Sequence, residues 1–193
     1  MSEDGVIKFQ CSWKKELSVR RESIDALNMW REKLYQLRLI GEYPDGIGYG
    51  NISQRASDNS FWISGTQTGG IPHLTEHEYS LVTSFDLEKN QLCCEGAIQA
   101  SSESLTHGAL YENNLEIGSV FHVHNLELWE KLISMGLSTP GTVEYGTYEM
   151  AQAAKKRSHS EEKIFAMGGH KEGIITFGKN PDEAGSVLLK AYN

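Results

Sequence analysis

Apolar and polar positions alternate along the chain with two distinct periods. From Arg21 to Leu39, Ile24, Leu27, Trp30, Leu34 and Leu37 recur at three- and four-residue steps. That is the period of a helix with one core-facing side, and Gly41 is its expected stop. Val6 to Trp13 alternates loosely and predicts an edge strand. Phe61–Ser64, Tyr79–Asp86 and Gln91–Glu95 predict further strands, the last two joined by a hairpin turn at Glu88-Lys89-Asn90. Thr75, with Glu76 and Glu78 after it, reads as a helix N-cap. A helix opens at Ser101 and runs to about Asn114.

The next run, Ile117 to Asn125, reads Ile-Gly-Ser-Val-Phe-His-Val-His-Asn, an apolar strand that delivers two histidines near its end. Asn125 is positioned to cap a helix over Leu126–Met135, and Thr147 another through about Arg157. Lys163–Gly168 and Ile174–Phe177 read as strands around a turn at Lys171-Glu172-Gly173. Asn180-Pro181-Asp182-Glu183 is a strong helix start, with a cap, a proline at the first position and two carboxylates in the first turn. With no internal repeat, low-complexity stretch or linker, the pattern predicts one α/β domain over residues 1–193.

Composition narrows the partners. The 193 residues carry a formal net charge of −8, which disfavours non-specific binding to nucleic acid or to an anionic membrane. No apolar run approaches the roughly 18 residues of a membrane span. Three cysteines, Cys11, Cys93 and Cys94, make a poor disulfide framework, and no secretory segment follows Met1, so a cytoplasmic protein with reduced thiols is expected.

Two side chains separated by one residue on a strand share a face, about 6–7 Å apart along the backbone. His122 and His124 can therefore converge on one divalent cation, given a third ligand. A third histidine on a hairpin, His170, and a glutamate leading a helix, Glu103, supply the other parts of a metal site with an acid/base group. Three neutral imidazoles and an open position are the pattern of a catalytic site. Against this stand blander readings: a His-x-His pair often serves no metal, and a serine or glutamate at a helix start often only caps it or complements its dipole. The Gly-rich stretch Pro44–Ser53 and the hydroxyl-rich loop Gly65–Gly70 fit neither a P-loop nor a dinucleotide fingerprint. His73 and His77, four residues apart, read best as exposed polar groups around a cap.

Gly50-Asn51-Ile52-Ser53, Ser101-Ser102-Glu103, His122-Val123-His124 and Tyr145-Gly146-Thr147 together resemble the class II aldolase/adducin family. The likeness extends from about Leu17 to Ala184, with this chain a short, divergent member closest in type to the fuculose-phosphate aldolases. It implies a three-layer α/β sandwich with a central, mainly antiparallel sheet flanked by helices. It implies metal ligation by His122, His124 and His170 and an acid/base role for Glu103. It further implies phosphate binding by Ser101 and Ser102 with Gly50, Asn51, Thr68 and Gly69.

The function expected on this basis is a metal-dependent, aldolase-type lyase acting on a small phosphorylated sugar or keto compound through an enediolate. The cation would be Zn²⁺, with Mn²⁺, Fe²⁺ or Co²⁺ also suited to imidazole ligands. A homotetramer is expected by the same resemblance. The chain departs from the family in a short connection of 45 residues between His124 and His170, in Lys171-Glu172-Gly173 after His170, and in having no tyrosine-bearing tail after its last helix. Epimerases and dehydratases of the family remain alternatives, with Glu103 favouring the aldolase or dehydratase side. So do a non-catalytic adducin-like domain, whose relatives lose the histidines, and a cupin-type metalloenzyme, which the predicted helices disfavour.

Overall fold

The structure, a computed structural model, describes residues 6–16, 24–57 and 59–193. In chain order its elements are β1 (Gln10–Lys15), α1 (Asp25–Gln36), β2 (Gly41–Glu42), β3 (Gly48–Tyr49), β4 (Asn51–Ser57) and β5 (Ser60–Ser64). There follow β6 (Tyr79–Asp86), β7 (Gln91–Gly96), α2 (Ser104–Asn113), β8 (Ser119–His124), α3 (Leu126–Ser134), α4 (Tyr148–Arg157), β9 (Ile164–Ala166), β10 (Gly173–Gly178) and α5 (Pro181–Tyr192).

Eight strands form one sheet in the order β1-β7-β6-β5-β4-β8-β10-β9, and β2 pairs with β3 in a separate ribbon. Only the β1–β7 pair is parallel; every other neighbouring pair is antiparallel. Each face of the sheet is covered by different helices. Leu105, Ala109 and Leu110 of α2 and Met150 and Ala154 of α4 bury with Val120 and Ile175 on one side. Leu27 and Leu34 of α1, Leu128 and Leu132 of α3, and Ala184 and Leu188 of α5 bury with Phe121, Val123 and Ile174 on the other. This is the three-layer sandwich with a mainly antiparallel sheet that the resemblance implied.

Boundaries differ from expectation for identifiable reasons. The first helix ends at Gln36, well before Gly41. Arg38 takes the left-handed conformation (φ 57°), its N–H bonds to the Tyr35 carbonyl and the Leu39 N–H to Leu34, so a Schellman turn closes the helix with arginine where glycine is usual. The expected start at Arg21 lies outside the described residues. The first strand begins at Gln10, downstream of Val6. Thr75 caps only a three-residue turn, Glu76–Glu78. Ser101, Ser102 and Glu103 precede α2, because the Ser101 carbonyl is taken by both the N–H and the hydroxyl of Ser104. The adjacent cysteines do not act as a pair: Cys93 is exposed, whereas Cys94 is buried with its Sγ 3.6 Å from that of Cys11 on β1.

The caps at Asn125, Thr147 and Asn180 occur as read from the sequence. Asn180 Oδ1 accepts from the Glu183 N–H at 2.9 Å, anchoring the helix that covers the β8–β10 region. Replacing Asn180 by alanine is expected to cost about 1 kcal/mol. Calorimetry should show the melting temperature falling by roughly 2–4 °C for a domain of this size.

Candidate functional site

All six side chains of β8 are buried, as the strand lies between β4 and β10 inside the sheet. Alternation sends Phe121 and Val123 to the α1/α3/α5 side and Val120, His122 and His124 to the other face. His122 stands opposite Asn51 on β4 and Ile175 on β10, and His124 stands opposite Gly173. The turn before β10 brings in His170, held by bonds from its own N–H to the Met167 carbonyl and from Gly173 N–H to its carbonyl. A Cβ on Gly173 would lie 3.0 Å from the His170 ring and 3.1 Å from that of His122. Glycine is therefore what lets the two imidazoles close over the strand end.

The three rings converge, with ligand nitrogens within 4.8 Å of one another and each residue less than a tenth exposed. His122 and His124 approach Nε2 to Nε2 at 3.1 Å. Their outer nitrogens are engaged elsewhere. Nδ1 of His122 lies 3.3 Å from the Ile174 carbonyl, which can only accept, so that nitrogen carries the proton. Nδ1 of His124 lies 2.8 Å from the Tyr43 hydroxyl, which itself donates to Glu172 Oε2 at 3.3 Å, so His124 Nδ1–H donates to Tyr43. Both Nε2 atoms thus direct lone pairs into one small space. Two lone pairs at that separation repel unless a cation lies between them, and outer-sphere partners of this kind are what fix metal-binding imidazoles. The donor set fits a divalent metal.

Electrostatics favour the neutral, ligating form. His122 is held well below the usual imidazole range, by burial first and then by its neighbours His124 and His170. Glu103, the residue just ahead of α2, is buried at 2% exposure; Thr106 donates to its Oε2 at 2.9 Å, and its Oε1 lies 3.8 Å from His170 Nδ1. Tyr145 stacks on His170 with ring centres 4.7 Å apart.

One pocket is lined by every residue to which the resemblance gave a role: Gly50, Asn51, Thr68, Gly69, Ser101, Ser102, Glu103, His122, His124 and His170. The carbonyl oxygen of the Asn51 side chain is buried at its wall with no protein donor among the described residues. Gly50 (φ 77°) brings the backbone against the His122 carbonyl, where a Cβ would meet Ile40 at 2.7 Å. His73 and His77 take no part in the histidine cluster; His73 lies beside Glu32 at the surface.

Residues 44–129 match the profile of the family described as Class II Aldolase and Adducin N-terminal domain. Over those residues the chain is similar to the class II aldolase/adducin family. Solved structures agree in fold. YgbL of Escherichia coli, described as a putative aldolase/epimerase/decarboxylase, is 18% identical with a TM-score of 0.64, the match covering 88% of this chain and 84% of that one. A sugar-phosphate aldolase from Thermotoga maritima is 17% identical, with a TM-score of 0.66 and coverage of 89% and 90%. L-fuculose-1-phosphate aldolase from Thermus thermophilus is 18% identical, with a TM-score of 0.59 and coverage of 90% and 95%. No curated protein matches the sequence.

Sequence reasoning missed the support around this site. Tyr43 is 81 residues from the histidine it holds, and nothing in its local sequence marks it. Glu172 interrupts the expected His-Gly turn; it adopts φ 71° and supplies the carboxylate behind Tyr43. Tyr145 belonged to a recognised motif but carried no assigned contact. Arg31, on a helix read as plain scaffold, donates to three carbonyls of the loop after β5.

A second buried histidine sets a pH dependence. His107 on α2 is fully buried beside Ser53, Nδ1 to Oγ 2.7 Å, and burial pushes it down to about 3 from an ordinary 6.5. Between those values the unfolded chain binds the extra proton, so stability is lost as pH falls. In chelator, denaturant titrations should show roughly 2 kcal/mol less stability at pH 5 than at pH 7.5 from this group alone. His107→Asn, which keeps an acceptor for Ser53, should flatten that dependence.

Proposed function

We propose that this chain is a metal-dependent lyase of the aldolase type, acting on a small phosphorylated sugar or keto compound. The observation that carries the reading is the convergence of two imidazole lone pairs at 3.1 Å, with His170 beside them and a buried glutamate next to it. His122, His124 and His170 would hold a divalent cation, Zn²⁺ first among those suited to imidazole. When bound, that cation supplies Lewis-acid stabilisation of negative charge on a substrate oxygen.

The remaining roles fall to the chain itself. Glu103 moves a proton to or from the carbon beside the substrate carbonyl, with Thr106 holding the carboxylate in its rotamer. Ser101 and Ser102, at the turn into α2, and the backbone at Gly50, Asn51, Thr68 and Gly69 bind the phosphate. Tyr43 and the Ile174 carbonyl keep the imidazoles in their ligating tautomers. A homotetrameric, cytoplasmic enzyme is part of the same proposal and rests on the family resemblance; among the described residues no helix is long and apolar enough to cross a membrane.

The test joins metal content to a half-reaction. Purified protein should carry close to one zinc per chain, and the His122→Ala/His124→Ala variant almost none by elemental analysis. The zinc protein should exchange a carbon-bound proton of dihydroxyacetone phosphate into deuterated water, followed by NMR. Glu103→Gln should keep the metal and lose at least about 100-fold in exchange rate. Equal metal in wild type and the double histidine variant would sink the reading. A metal-bound protein inert on a panel of phosphorylated ketoses and their aldols would point to an adducin-like, non-catalytic domain.

A further inference from the structure

Arg31 sits in the middle of α1 and is wholly buried. Its Nη2 donates to the carbonyls of Thr68, Gly69 and Ile71 at 2.9, 2.9 and 2.8 Å. Among the described residues no carboxylate pairs with it. A guanidinium keeps its charge in a protein, so this is a fixed cation held by carbonyl dipoles and by the Tyr35 ring, whose centre lies 5.1 Å away.

The direction of those carbonyls decides where the adjacent N–H groups point. In a trans peptide the C=O and the following N–H are antiparallel, and the structure contains no cis bond. With the Thr68 and Gly69 carbonyls turned to Arg31, the N–H groups of Gly69 and Gly70 are turned away from it. Neither N–H meets a protein acceptor among the described residues. Thr68 and Gly69 line the pocket together with Ser101, Ser102 and the histidines. The loop is also pressed against the β2–β3 ribbon, where a Cβ on Gly69 would meet the Gly41 carbonyl at 2.1 Å. It is thus gripped from behind and packed from the side, leaving peptide donors for the cavity.

We infer that Arg31 is a positioning residue for anion binding: from the opposite helix layer it orients the Thr68–Gly69 and Gly69–Gly70 peptides so that their N–H groups receive the substrate's phosphate, and it adds a positive charge behind them. It acts through the loop and touches no substrate. This inference rests on the phosphate reading of the pocket given above, and its test separates the two. In an acidic chain of net charge −8, such a buried cation lets a local site attract an anion that the surface repels.

Zinc-loaded wild type, Arg31→Lys and Arg31→Met are compared for affinity toward inorganic phosphate by calorimetry, for zinc content, and for amide hydrogen exchange at residues 69–71. Lysine keeps the charge but its side chain ends one atom short of the Nη2 position that meets all three carbonyls. Arg31→Lys should retain full zinc and a cooperative melt, bind phosphate about tenfold more weakly, the worth of one charge-assisted hydrogen bond, and exchange those amides faster. Arg31→Met should bind more weakly still; if it does not fold, the lysine variant decides alone. Wild-type phosphate affinity in folded Arg31→Lys overturns the role of Arg31 while leaving the pocket reading intact. A zinc-loaded wild type that binds no phosphate overturns both.

Discussion

Everything about the site depends on holding three buried imidazoles together at the end of one strand. Burial alone would leave His122 and His124 with lone pairs opposed at 3.1 Å, an arrangement that neutral side chains avoid. The protein opposes their separation from outside. A backbone carbonyl fixes one ring, a tyrosine–glutamate relay fixes the other, and glycine at position 173 leaves out a Cβ that would crowd His122 and His170. Orienting groups of this kind set the geometry before any ligand arrives, which is what makes a metal site selective and fast to fill.

The layers of the fold share this work unevenly. The α2/α4 side of the sheet provides the histidine face and Glu103. The opposite side provides no pocket residue from its helices, yet α1 reaches the loop after β5 through Arg31. A helix whose visible task is to bury Leu27 and Leu34 thus also sets the backbone of one pocket wall. Cores and sites are usually described separately; in this chain one helix serves both.

What the sequence made legible was whatever repeats or clusters along the chain. Periodicity located most helices and strands, side-chain caps at Asn125, Thr147 and Asn180 marked true starts, and the His-x-His spacing put two imidazoles on one face. What escaped was whatever depends on distant partners or on unusual backbone. Arginine in a left-handed position ended α1 where no glycine announced it. Glu172 in the same conformation looked like a defect in a motif, and the structure makes it the far end of a hydrogen-bond relay. Tyr43 and Arg31 could not be read locally, because their value lies in carbonyls and imidazoles tens of residues away.

The hairpin between Met167 and Gly173 carries more than one histidine of the cluster. Its His170 faces the cavity while its Glu172, two residues on, steadies Tyr43 and through it His124. One short turn therefore governs two of the three imidazoles by different routes. Their positions cannot be independent: loosening the turn would disturb both at once. The site in this sense has two mechanical units, a strand and a turn.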